Sequence, residues 1–158
     1  MTYIYKSVEP RRIAIVGSRH LNDYRRFCLT LRQLHILQPN CTIVSGRSPG
    51  GGVDLLAARF ARQNSYNLIE YLIDDKLIAQ KVSEGLDSRA AFAFAANARN
   101  SQIVESADLM LAIACSHSNG TWDSIRKMRV KIEDERVPSK ERAQTIRLYN
   151  YIWECGIV

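Results

Sequence analysis

Apolar residues along this chain fall into short unbroken runs that alternate with longer stretches of helical spacing. The first run, Arg12-Ile-Ala-Ile-Val16, stops at Gly17-Ser18-Arg19 and reads as a strand buried on both faces. Asn22 or Asp23 is placed to cap the next helix, whose stripe is Tyr24, Phe27, Cys28, Leu31 and Leu34. Pro39-Asn40 breaks the chain, and Cys41-Thr-Ile-Val-Ser45 is a second strand, rich in β-branched residues. It runs into Gly46-Arg-Ser-Pro-Gly-Gly-Gly52, after which Val53, Leu56, Ala57, Phe60 and Ala61 line one face of a helix that Asn67 closes.

Leu68 to Ile73 is the third strand. The polar stretch from Asp74 to Ser88 reads as loop with room for a short helix, and Arg89 to Ser106 as an Ala-rich helix with a break near Asn97. Asp108 to Ile113 is the fourth strand, and the loop Ser116 to Thr121 opens a helix from Trp122 to about Ile132. Glu133 to Ser139 reads as a linker, and Lys140 to Trp153 as a C-terminal helix. Strands alternating with helices of this length give βαβ units and a mostly parallel sheet with helices on both faces. The expected architecture is one doubly wound, Rossmann-like α/β domain over residues 1–158, with its core at about 12–132.

Composition changes this picture little. A chain of 158 residues, 46% hydrophobic and 24% charged, suits one soluble domain. The N-terminus lacks the apolar stretch of a secretory signal and no run approaches the ~20 residues of a membrane span, so a cytoplasmic protein is expected. Cys28, Cys41, Cys115 and Cys155 form no CxxC pair, and His20, His35 and His117 are equally dispersed. Free thiols and no metal are the expectation. The net charge is +6, carried by sixteen Arg against six Lys. The planar guanidinium suits bidentate contacts to phosphate, which tilts the reading toward anionic ligands.

Ligands of such sheets bind outside the carboxyl ends of the strands. Three loops fall there: Gly17-Ser18-Arg19; Ser45-Gly46-Arg47 with Gly50-Gly51-Gly52 and Asp54; and Ser118-Asn119-Gly120-Thr121. Each leads into a helix, whose first N–H groups and positive dipole end favour an anion. The triple glycine reads either as ligand cradle or as plain turn; a turn alone would need one glycine. Arg47 either clamps a phosphate or faces solvent, and Asp54 either caps N–H groups or reaches a ribose hydroxyl. Arg99 shares a helical stripe with Phe92, Ala95, Ala96 and Ile103, so it points inward and needs a ligand anion or a buried carboxylate. Asn100 follows it, and Asp123 lies in the first turn after Gly120-Thr121, a good dipole partner.

These residues resemble the SLOG superfamily, in particular its small YspA/YpsA-related branch. The similarity runs through Ile13-Ala-Ile-Val-Gly-Ser-Arg19, Val44 to Asp54 with Ala57, Arg99-Asn100, Ala107-Asp108 and Gly120-Thr-Trp-Asp-Ser-Ile125, spanning about residues 12–130. Relatives include LOG-type phosphoribohydrolases, the DNA-processing protein DprA and nucleotide-sensing domains of antiviral systems. The resemblance implies a nucleotide-type small-molecule ligand and often a homodimer. LOG-type hydrolases carry a catalytic Glu in Pro-Gly-Gly-x-Gly-Thr-x-x-Glu; here Ser124 stands at that position. A serine neither stabilises the charge that builds on ribose nor takes up a proton as a carboxylate does.

Three functions are therefore open. The foremost is a nucleotide-ligand binding or sensing domain without turnover and without a cofactor. The second is an N-glycosidic or phosphoribosyl hydrolase with Arg99 and Asp123 as catalytic residues. The third is DprA-like binding of single-stranded nucleic acid, which wants stacking aromatics in a basic groove. Tyr66, Tyr71, Tyr149, Tyr151 and Trp153 are not interleaved with the glycine loops, and the last three read as packing a terminal helix.

Overall fold

The computed structural model describes residues 11–135 and 147–152. Its elements run β1 (Arg12–Gly17), α1 (Tyr24–Leu34), β2 (Thr42–Gly46), α2 (Val53–Gln63), β3 (Asn67–Tyr71), α3 (Asp75–Ser83), α4 (Ser88–Ser106), β4 (Leu109–Ala114), α5 (Asn119–Glu135) and β5 (Arg147–Ile152). The strands form one five-stranded sheet in the order β3-β2-β1-β4-β5, every neighbouring pair parallel. This is the Rossmann-like α/β arrangement read from the alternation of strands and helices.

The two faces of the sheet follow from the period-2 alternation of strand side chains. Ile13, Ile15, Ile43, Leu109, Leu111 and Ile113 face one side, where Phe27 and Leu31 of α1 and Leu56, Ala57, Phe60 and Ala61 of α2 cover them. Ala14, Val16, Val44, Met110 and Ala112 face the other, against Ile103 and Val104 of α4 and Ile125 and Met128 of α5. The central strands are thus apolar on both faces, as their unbroken runs require. Asp23 caps α1 by accepting the Arg26 N–H at 2.9 Å.

Four expectations need correction. Residues 147–152 are a strand, β5, rather than part of a terminal helix; residues 140–146 and Trp153 lie outside the described residues. Tyr149 and Tyr151 pack on the α1/α2 side of the sheet and Leu148 on the opposite side. Pairing with β4 decides this segment, since without β5 that apolar strand would be a bare edge. Second, α4 runs unbroken past Asn97, and α5 starts three residues earlier than the sequence suggests, at Asn119. Third, Phe92 is exposed although it shares the Arg99 stripe; in that half of α4 the buried positions are Ala91 and Ala95. Fourth, Cys115 is disulfide-bonded, whereas Cys28 and Cys41 are free thiols. Chain spacing carries no signal for a pair that only folding brings together.

Candidate functional site

In the order β3-β2-β1-β4-β5 the connections leave β1 in one direction and enter β4 in the other, so the topological switch point lies between β1 and β4. The three polar loops meet at the carboxyl edge beside it. Ser18 N–H donates to the Ile113 carbonyl at 2.9 Å, tying the first loop to β4. The Ser18 hydroxyl lies 3.0 Å from Cys115 Sγ, and the Ser118 hydroxyl accepts the Cys115 N–H at 2.9 Å. On the other side, the Ser18 carbonyl accepts the Val53 N–H at 3.1 Å, and Asn22 Oδ1 accepts the Gly52 N–H at 3.0 Å. Asn22 reads from the sequence only as a candidate helix cap and carries no signal for holding Gly52, whereas Ser118 belongs to the third loop read there.

These bonds give the glycines different duties. A Cβ on Gly52 would overlap the Arg19 backbone and the Ser18 carbonyl, and its φ of +84° is one that side-chain-bearing residues rarely adopt. A Cβ on Gly17 would overlap Val53 and the Ile113 carbonyl. Both missing side chains let the first loop, β4 and the start of α2 lie against one another. A Cβ on Gly50 or Gly51 would meet only ordinary neighbours, at 3.5 Å or more, although Gly51 too has a positive φ, +92°. Arg19 and Arg47 are exposed, and Ser45 is fully buried with its hydroxyl on the Ile15 carbonyl at 3.3 Å.

Arg99 and Asn100, midway along α4, join the second loop to the start of α5. Arg99 Nε donates to Asn100 Oδ1 at 3.1 Å; Asn100 Nδ2 donates to Asp123 Oδ2 at 3.2 Å and to the Gly120 carbonyl at 3.3 Å. Asp123 also pairs with Lys127 at 2.8 Å and with Arg126 at 3.7 Å. Asn119 and Gly120 are exposed at the head of α5, while Thr121 is buried. Ser124 is buried too, its hydroxyl turned back to the Gly120 carbonyl at 3.2 Å.

The other end of Arg99 is unusual. Its Nη1 lies 3.9 Å from Asp54 Oδ2, beyond hydrogen-bond reach, in the space that a Cβ on Gly46 would fill. Among the described residues, this Nη1 is the one buried side-chain polar atom with no hydrogen-bond partner. Asp54, in the first turn of α2, is itself buried and takes a hydrogen bond from the Ser48 backbone. Burial pushes its carboxyl up to about 7, against the downward pull of Arg99 and of the Ser48 bond, with Glu70 of β3 adding to the rise. Burial likewise lowers the Arg99 guanidinium, which Asp54 only partly offsets. The pair is thus buried without being closed, and a buried unmatched donor costs about 1–3 kcal/mol, more when charged.

A parallel sheet in this order, with Gly-rich loops gathered at its switch point, defines a Rossmann-like α/β protein. Residues 11–77 match the model of the YspA, cpYpsA-related SLOG family, which bears out the resemblance read from Ile13–Arg19 and Val44–Asp54. Arg99, Asn100 and Asp123 lie beyond the matched stretch. Neither a curated protein nor a solved structure matches the chain. Among the described residues, no three His, Cys, Asp or Glu side chains gather as a metal site, and no helix is long and apolar enough to cross a membrane.

Proposed function

We propose that the chain binds a nucleotide or nucleotide-derived ligand at the carboxyl edge of the sheet, as a sensor or binding protein, with Arg99 receiving a phosphoryl group. The observation that carries this is the unpartnered, buried Nη1 of Arg99, packed over Gly46 where a Cβ would otherwise sit. A structural arginine at this depth would be expected to have its donors satisfied by protein. An oxyanion supplies the missing acceptor with a charge-assisted bond. The SLOG match over residues 11–77 supports a nucleotide-related ligand.

Hydrolysis is the weaker reading on two observations. Ser124 offers no carboxylate at the position where LOG-type enzymes hold theirs. Asp123 is engaged by Asn100, Lys127 and Arg126, so its oxygens already have partners. The test is a panel of nucleoside monophosphates followed for binding by calorimetry and for free base by chromatography. Binding without base release is expected, with affinity falling roughly 10- to 150-fold in Arg99→Ala, the worth of about 1.5–3 kcal/mol. Base release that vanishes in Asp123→Asn while binding persists would make the protein a hydrolase.

A further inference from the structure

Asp54 is a liability in a site for anions unless it has a task. Arg99 Nη1 and Asp54 Oδ2 are 3.9 Å apart, so a phosphoryl oxygen seated between them would lie within hydrogen-bond reach of both. An ionised carboxylate there would repel a dianion; a protonated one donates to it. Resting on the reading of the cleft as a phosphate site, we infer that Asp54 shares one hydrogen with the anion held by Arg99, so that a phosphomonoester enters together with a proton. Asp54 then selects for an oxyanion that can share that hydrogen, and Arg99 supplies the charge.

The surroundings support this division. Asp54 is 7% exposed, so water screens the repulsion poorly. From α4 it faces Arg99, which is too far to form a bond; from β3 it faces Glu70, a second negative charge, itself drawn toward Arg62 of α2 at 3.1 Å. From the preceding loop only the Ser48 backbone bond reaches it, while the Arg47 side chain is exposed. Beyond Arg99 stands Asn100, a neutral side chain, with Asp123 behind it paired to Lys127 and Arg126. The burial that raises its carboxyl to about 7 keeps the proton within easy reach at neutral pH.

The experiment titrates AMP into wild-type protein and Asp54→Asn between pH 7.0 and 8.5, where the second ionisation of the phosphate, near 6, is essentially complete. With a carboxyl at about 7 that must be protonated in the complex, wild-type affinity falls roughly 15-fold across this range. The amide of Asp54→Asn stays a donor at every pH, so its affinity changes less than about twofold. A flat wild-type profile, or a parallel fall in both proteins, overturns the shared hydrogen but leaves the phosphate site standing. Absence of AMP binding in both proteins at every pH overturns the site and the inference together. Should Asp54→Asn fail to fold, calorimetry of wild type at pH 7.5 in buffers of different ionisation enthalpy decides. Uptake of about three-quarters of a proton is expected, and zero uptake contradicts the inference.

Discussion

Asn100 accepts a hydrogen bond from Arg99 Nε at 3.1 Å and so fixes the guanidinium with Nη1 over Gly46 and beside Asp54. The same amide holds Asp123 and the head of α5 through its Nδ2. One buried side chain thus sets the position of the Arg99 guanidinium and the approach of the third loop.

Asn100→Ala removes the acceptor that orients Arg99 and leaves Asp123 with its lysine and arginine only. Loss of buried hydrogen bonds lowers unfolding free energy by about 1–3 kcal/mol. Affinity for a nucleoside monophosphate should fall by at least about tenfold, since a mobile guanidinium must be ordered on binding. Urea unfolding and calorimetry on the same preparation check both numbers. Unchanged affinity in a folded Asn100→Ala protein would show that Arg99 needs no such support.

Gly52 and Gly50 separate the two uses of the glycine run. Gly52→Ala places a Cβ into the Ser18–Arg19 backbone at a φ of +84°, and should destabilise the fold by about 3 kcal/mol or more. At Gly50 the nearest atom is the flexible Arg19 Cδ at 3.5 Å. Gly50→Ala should stay within about 1 kcal/mol of wild type. Thermal unfolding of the two variants side by side gives the answer; equal losses would mean that the whole run, rather than its last residue, sets the loop packing.

Most of this architecture was legible in the chain. The runs at 12–16, 41–45 and 108–113 are apolar at consecutive positions because β1, β2 and β4 are covered on both faces, and the Phe27–Leu31 and Leu56–Phe60 stripes follow from one-sided burial. The segment 147–152 was misread because its structure depends on a partner strand that local pattern does not reveal. Helix α3 left a weak pattern because it buries no residue fully. In the site, the loops announce themselves through glycine and serine, whereas the meeting of Asp54 with Arg99 and the grip of Asn22 on Gly52 exist only after folding. The LOG-like position of Ser124 was visible from motif spacing; its inward-turned hydroxyl was not.

Asp54 also sets a pH dependence of stability. Its carboxyl is raised by burial to about 7 in the folded protein, against about 4 in an unfolded chain. Below about pH 4 both states hold the proton. Between about 4 and 7 the unfolded chain releases it while the fold retains it, so this group's contribution to stability declines as pH rises and levels off above about 7. In Asp54→Asn that decline should disappear, leaving the variant more stable than wild type above pH 7 by on the order of 1–4 kcal/mol. Denaturant midpoints from pH 4.5 to 8 measure it; a wild type whose stability rises through this window in parallel with the variant would contradict the burial of Asp54.

On the proposed reading, Arg99 Nη1 lacks an acceptor because that acceptor belongs to the ligand. A crystal structure of the protein grown with AMP tests this most directly. A phosphoryl oxygen is expected within about 3 Å of Arg99 Nη1, beside Asp54 and Gly46, with the remainder of the nucleotide lying along the loops at Ser18, Gly50–Gly51 and Asn119–Gly120. A nucleotide bound at another face of the molecule, with Arg99 still unpartnered or closed onto Asp54, would contradict it.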